Sequence, residues 1–200
     1  MSEKRWIVGV TGASGAPYAV RLLGALVELN VPADVIVSAH GWRLFAHETG
    51  IGGEQELLQA IGGSGSLEFY DNGDRGARPA SGSAPYKGLV ICPCSMGSLS
   101  AIAHGSSRSL VERAADVTLK ERRRLVAVVR ETPLSAIHLE NMLKLARLGA
   151  VIMPASPGFY HAPDGIENLV DFVVARVLDH MDVEHGVGYR WTGEEEARDG

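Results

Sequence analysis

Cysteine is scarce in this chain: two in 200 residues, Cys92 and Cys94, set two apart around a proline in "ICPCS". That spacing suits neither a zinc knuckle nor a redox pair, so the thiols read as a buried pair at a strand end. His104 is the one nearby residue that could extend them into a metal set. Long apolar runs are missing as well. None approaches the roughly 18–20 residues of a membrane span, and "MSEKRW" lacks a signal peptide's apolar core. A soluble, cytoplasmic protein with no membrane partner is expected. Nor is there a surplus of positive charge: the net charge is −5, which argues against nucleic acid as a partner.

The charge that is present is uneven. Between Arg108 and Arg130 seven basic residues stand against three acidic ones, while the chain ends in the acidic "GEEEARDG". A local basic patch in an acidic protein suits a small phosphorylated ligand better than a polyanion. The simplest reading of Arg122, Arg123 and Arg124 alone is a solvated helix face.

Apolar strand patterns and amphipathic helix patterns alternate along the chain. "RWIVGVT", "ADVIVS", "GLVICP", "LVAVV" and "AVIMP" read as strands, with a possible further strand at "LEFYD". Helices are expected at "APYAVRLLGALVELN", "HGWRLFAHETG", "EQELLQAI", "SMGSLSAIAHG", "LVERAADVTLKERRR", "SAIHLENMLKLARLG" and "IENLVDFVVARVLDHM". Continuous apolar strands in this order predict a doubly wound, mostly parallel α/β sheet with helices on both faces, a Rossmann-like architecture. We place one domain over residues 1–185 and a tail over 186–200 that carries Trp191.

In such folds ligands sit outside the carboxyl ends of the strands. The segments just past the strand ends are "TGASGAP", Ser38, "PCSMGS", "RETPLS" and "PASPGFY". Small residues, hydroxyls and one Arg–Glu pair therefore converge on one edge. "VTGASG" departs from the dinucleotide fingerprint G-x-G-x-x-G, and Ser38 stands where an NAD site places an acidic residue. FMN fits better, its phosphate held by helix N-termini and by hydroxyls such as those of "CSMGS". Arg130 and Glu131 end an apolar strand with two charges. There Arg130 could hold a phosphate and Glu131 could move a proton, its carboxyl tunable in either direction by apolar walls and cations. Lys120 reads on its own as a surface lysine, and His138 and Glu140 as part of a helix face. Tyr160 is a loop aromatic at the ligand edge, and Arg176 lies on the last helix.

Taken together, "GVTGASGAPYAVRLL", "PCSMGSLSAIAHG" and "RAADVTLKERRRLVAVVRETPLSAIHLENMLKLARLGAVIMPASPGFY" resemble the flavin prenyltransferase family of UbiX type. The resemblance spans nearly the whole chain and is weakest between Gly52 and Pro85. It implies an enzyme that joins a dimethylallyl group from dimethylallyl monophosphate to N5 and C6 of reduced FMN. The product serves as cofactor for a UbiD-type decarboxylase. By the same resemblance Gly12, Ala13, Ser14, Ser38, Ser95, Met96, Gly97, Ser98 and Arg130 hold FMN. Lys120, Arg113, Tyr160 and Arg176 grip the donor phosphate. Glu131, Ser14, Glu48, Lys120 and Trp191 match positions implicated in the chemistry. The family also implies a homo-oligomer, a dodecamer with sites shared between subunits.

These residue types suit that reaction. Departure of phosphate from an allylic carbon builds negative charge that Lys and Arg stabilise, and positive charge that aromatic faces attract, by about 0.5–2 kcal/mol each. The sequence has no D-D-x-x-D motif, which favours metal-independent ionisation by the cations. Three rivals remain. Flavin-dependent cysteine-type decarboxylases carry a P-x-M-N-x-x-M-W motif, and "MPASPGFYHAP" stands in its place. A flavin-independent aromatic-acid decarboxylase would act without a partner. A non-catalytic flavin carrier would need neither Lys120, Tyr160 nor Arg176.

Overall fold

In a computed structural model, which describes residues 4–160 and 162–190, the expected alternation resolves into a single sheet. The described residues form strands β1 (Arg5–Val10), β2 (Ala33–Val37), β3 (Leu67–Asp71), β4 (Tyr86–Cys94), β5 (Arg124–Val129) and β6 (Val151–Pro154). The helices are α1 (Ala16–Glu28), α2 (Ala39–Thr49), α3 (Glu54–Ala60), α4 (Met96–Ala103), α5 (Leu110–Lys120), α6 (Ala136–Arg147) and α7 (Ile166–His180). Every strand pair is parallel, in the order β3-β2-β1-β4-β5-β6. The chain winds outward from β1 and then returns to lay β4 on its other side. The crevice between β1 and β4 is thus the switch point where such sheets bind ligands.

Strand periodicity divides the core in two. Trp6, Val8 and Val10 of β1 join Val35, Val90 and Val126 under α1, α2, α3 and α7. Ile7, Ile36, Leu89, Ile91 and Leu125 pack under α4, α5 and α6. Helix α1 presents Ala19, Leu22, Leu23 and Leu26 at helical spacing to the first layer, all fully buried. Each such leucine removed from water contributes roughly 1.5–3 kcal/mol.

At the amino ends of the strands sits a buried charge. Asp34 is 0% exposed and accepts from the Arg5 guanidinium and from the Tyr86 hydroxyl. Arg5 also donates to the carbonyls of Ala33 (2.8 Å) and Ser66 (2.9 Å). Burial, and then the bond to Asp34, push the Tyr86 hydroxyl far above its ordinary range. The two cysteines are buried and unbridged, and burial pushes both thiols up to about 12, which keeps them protonated.

The structure corrects one expected boundary. Helix α5 stops at Lys120 instead of running through Arg124, and Arg122 takes a left-handed φ of 56°. Arginine is a good helix former, but tertiary anchors override propensity here. Arg123 donates to the Gly82 carbonyl at 2.6 Å. Arg124 opens β5 and reaches the His180 carbonyl and Asp182, each at 2.7 Å. The expected helix face of Arg122–Arg124 is therefore a turn and a strand start. Past α7 the chain folds back over the helix. Val187 is buried, and a Cβ on Gly188 would come within 3.0 Å of the Asp171 carbonyl. Trp191 and the acidic end lie outside the described residues. Among the described residues no helix is long and apolar enough to cross a membrane, and no three potential metal ligands cluster.

Candidate active site at the carboxyl edge of the sheet

The floor of the switch point is held by Thr11, which is 2% exposed. Its N–H donates to the Pro93 carbonyl at 3.2 Å, and its hydroxyl donates to the same carbonyl at 3.0 Å. That hydroxyl also accepts from the Ser95 N–H at 2.8 Å, so one side chain ties the end of β1 to the end of β4. Gly12 comes next, exposed and pressed against α2: a Cβ there would lie 2.6 Å from the His40 Cβ. Only glycine fits, which leaves bare backbone at the edge. Ala13 turns inward and is buried, whereas Ser14 is exposed.

Two hydroxyls cap the helices that leave this edge. Ser38 accepts from the Gly41 N–H at 3.0 Å and starts α2. Ser95 accepts from the Ser98 N–H at 3.3 Å and starts α4, while its hydroxyl donates to that of Ser98 at 3.1 Å. The Met96 side chain is buried in the second core layer, so only its backbone faces the edge. Gly97 is exposed, with nothing within 4 Å of where a Cβ would stand. With the Ser98 N–H taken by the cap, the N–H groups of Met96 and Gly97 are what the start of α4 can offer to an anion.

The N-terminus of α1 is a different case. Gly15 has a φ of 127° and offers no side-chain cap. Glu48 reaches over from α2 instead, accepting from the N–H groups of Gly15 and Ala16 at 2.8 Å each. Burial works to raise the Glu48 carboxyl. The Gly15 N–H, the Ser14 hydroxyl, the Ala16 N–H and the Arg130 charge together hold it below its ordinary value. The protein's own carboxylate thus fills this helix terminus, and a ligand phosphate is left with α4.

Arg130 and Glu131 stand at the end of β5 and diverge. Half-buried Arg130 turns across the edge, its Nε donating to the Ser14 carbonyl at 3.0 Å. Glu131 is exposed and accepts from the Thr132 N–H at 3.1 Å. The structure brings together Gly12, Ser14, Glu48, Ser38, Ser95, Ser98, Arg130 and Glu131, all at the edge read from the sequence.

The residues expected on the phosphate are elsewhere. Helix α5 starts beside Asn72, just past the end of β3, where the Leu110 N–H donates to the Asn72 carbonyl at 2.8 Å. Eleven residues of helix carry the chain roughly 16 Å back toward the strand starts. Arg113 lies in the first turn, paired with Asp116 at 2.8 Å, and Lys120 at the far end, paired with Glu121. Arg176 is on α7, bonded to Asp179 at 2.9 Å. Tyr160 lies edge-on to Phe172 and Tyr189, with centroids 5.9 and 6.0 Å apart. Lys120 lies before the start of β5 and the Arg130–Glu131 pair after its end, so they stand at opposite ends of the sheet.

Comparison with known proteins fits this edge. Residues 1–178 match the Flavoprotein family model. The flavin prenyltransferase UbiX of Halalkalibacterium halodurans is 47% identical over 196 residues, covering 95% of this chain and 94% of that protein. The chain belongs to the UbiX-type flavin prenyltransferase family. Among solved UbiX structures, AnUbiX (PadA1), in complex with FMN and dimethylallyl pyrophosphate, superposes with a TM-score of 0.89 at 41% identity. It covers 97% of this chain and 100% of its own. A dodecameric FMN-dependent UbiX-like decarboxylase from Escherichia coli O157:H7 has a TM-score of 0.86 at 42% identity and covers 95% and 100%.

Sequence reasoning passed over Thr11 and Ser135 at this UbiX-type edge, and it named Glu48 without its capping role. Thr11 lies inside the "VTGASG" turn, but its hydroxyl acts on residues more than eighty positions away. The capping role of Glu48 depends on how α2 packs on α1. Ser135, which caps α6 by accepting from the His138 N–H at 3.2 Å, was visible as a serine before a helix.

Proposed function

We propose that the protein transfers a dimethylallyl group from dimethylallyl monophosphate to N5 and C6 of reduced FMN, making the cofactor of a UbiD-type decarboxylase. The observation that carries this reading is Arg130 reaching across the edge to the Ser14 carbonyl, with Glu131 beside it and open backbone below. The residues present fit a flavin mononucleotide. Gly12, where His40 bars any Cβ, leaves bare backbone exposed at the edge, and the start of α4 offers N–H groups and the Ser95 and Ser98 hydroxyls to a phosphate. Gly12, Ala13, Ser14, Ser38, Ser95, Met96, Gly97, Ser98 and Arg130 would hold it, Met96 by its backbone alone. Reduced flavin supplies the nucleophilic nitrogen and carbon.

The remaining work falls to this chain's side chains. Arg130 neutralises charge at the edge and fixes the turn after β1. Glu131, exposed beside it, accepts the proton released as the second carbon bond forms. Glu48 keeps the Ser14 turn in place and holds the Ser14 hydroxyl in a bond that can pass a proton. Lys120, Arg113, Tyr160 and Arg176 bind the donor phosphate and stabilise its departure without metal, and Trp191 flanks the prenyl group. Because Lys120 lies at the opposite end of the sheet from this edge in its own chain, it serves the edge of a second copy. The active form is then a homo-oligomer, a dodecamer like the similar Escherichia coli protein.

Anaerobic incubation with FMN, dithionite and dimethylallyl monophosphate, followed by mass analysis of the released flavin, tests the proposal. A gain of one C5 unit is expected, and Glu131→Gln should bind both substrates but form the product far more slowly. Flavin returned unmodified with both mono- and diphosphate donors would overturn the reading in favour of a carrier or decarboxylase.

A further inference from the structure

Beside Arg176 of α7 stands a second cation, Arg190 of the chain after the helix, that the proposed function leaves unused. Asp179 receives two guanidinium groups on its two oxygens. Arg176 Nη1 lies 2.9 Å from Oδ2, and Arg190 Nη2 lies 2.8 Å from Oδ1. The His185 side chain, itself 0% exposed, closes the cluster with Nε2 3.2 Å from Oδ1. The Val187 N–H donates to Nδ1 of the same ring at 3.1 Å, and Arg190 Nη2 lies 3.0 Å from its Nε2. Burial would raise the Asp179 carboxyl, but the Arg190, His185 and Arg176 contacts outweigh it and hold the group ionised.

The cluster sits next to the aromatic residues assigned to the donor. Phe172, Arg176 and Asp179 recur at helix positions i, i+4 and i+7 and so share one face of α7. Tyr160 rests edge-on to Phe172, and Tyr189, the residue before Arg190, rests edge-on to Tyr160. Two guanidiniums on one carboxylate leave a net charge of +1, and each keeps further N–H donors beyond the one the carboxylate takes. A phosphate monoester, with a charge of about −1.5 to −2 near neutral pH, matches such a pair. A solvent-exposed ion pair kept only to hold the chain end would contribute little to stability.

We infer that Arg190 is a second guanidinium of the donor-phosphate site, and that Asp179 is the positioning residue that sets it beside Arg176. This rests on the reading of Arg176 as a phosphate ligand. Asp179 acts only through the two arginines and touches no substrate.

The test uses the full-length protein and five variants: Arg176→Ala, Arg190→Ala, Arg190→Lys, Asp179→Asn and the Asp179→Asn/Arg190→Ala double variant. Four quantities are measured for each: donor KM, kcat at saturation, the inhibition constant of inorganic phosphate, and the Kd of FMN. Arg190→Ala should raise the donor KM and the phosphate inhibition constant together by roughly tenfold or more, the size of a lost charge-assisted bond. FMN affinity should stay unchanged, and Arg190→Lys should recover part of the loss. Asp179→Asn should move the same two constants, and by less when Arg190 is already alanine. If Arg176→Ala raises both constants while Arg190→Ala leaves them within twofold, the inference is overturned and the parent reading stands. If Arg176→Ala leaves them unchanged, the phosphate assignment of Arg176 falls and the inference falls with it. If Arg190→Ala weakens FMN and donor alike, the cluster is structural and the inference is overturned.

Discussion

The residues assigned to the flavin lie within a few positions of the ends of β1, β2, β4 and β5, whereas those assigned to the donor phosphate are spread over α5, α7 and the loop after β6. The first group is assembled inside one chain. Its members are short, and much of what they offer is backbone: the bare turn at Gly12, the start of α4, the Ser14 carbonyl under Arg130. The second group consists of long cationic side chains and an exposed tyrosine on outward-facing surfaces. A sheet fixes its own strand ends, so the flavin half can be precise without a partner. On the proposed reading, the donor half is completed where two surfaces meet.

The largest effect that would test this contrast comes from Lys120. Lys120→Ala should lower prenyl transfer by roughly 100-fold or more, as expected for losing a charge-stabilising group in the transition state, with FMN binding intact. Arg130→Ala should also be inactive. Mixed oligomers of the two variants should regain activity measurably if each site draws on two chains. No regain on mixing would break the comparison and return Lys120 to its own chain.

The next effect concerns the self-contained half. Gly12→Val places a Cβ only 2.6 Å from the His40 Cβ. FMN affinity, followed by flavin fluorescence, should fall by about tenfold or more, because the turn must move to relieve the overlap. Retained affinity would show that the backbone at Gly12 is no part of the cradle.

The smallest expected effect is on stability. Glu48→Gln should cost on the order of 1 kcal/mol at neutral pH, through the weakened cap of α1. The native carboxyl titrates below its ordinary 4.5, so its contribution is full above that value and is lost as pH falls through the lower, folded-state value. Denaturant melts of the two proteins should differ at pH 7 and converge in acid. A constant gap across that range would show that ionisation of Glu48 does not support the helix.

Much of the fold was legible because its strands are unbroken apolar runs and its helices carry turn and cap signals at their ends. The flavin edge was legible for the same reason: once the strand ends are known, the residues after them are known too. What stayed hidden depends on partners far along the chain. Asp34 was an out-of-pattern acid in "ADVIV", a signal that could have been noticed, but Arg5 and Tyr86 as its neighbours emerge only from strand pairing. The Asp179 cluster needs the chain after α7 to turn back, and nothing in "EHGVGYRW" announces that turn. The misread end of α5 has the same origin. Local propensity favoured more helix, and the Gly82 and His180 carbonyls decided otherwise.

The Asp34 cluster has a consequence for the opposite end of the sheet. Arg5 is in register with Tyr86, and Asp34 on the neighbouring strand with Ile7, so the three groups meet only when β1, β2 and β4 are threaded in one alignment. A slip of one residue would leave a carboxylate stranded in hydrocarbon, at a cost of several kcal/mol. It would also shift Gly12, Ser38 or Ser95 by about 3.3 Å, one residue's rise. The cluster thus works as a keying mark. Chains threaded out of alignment are rejected at the closed end of the sheet, and the open end inherits its spacing.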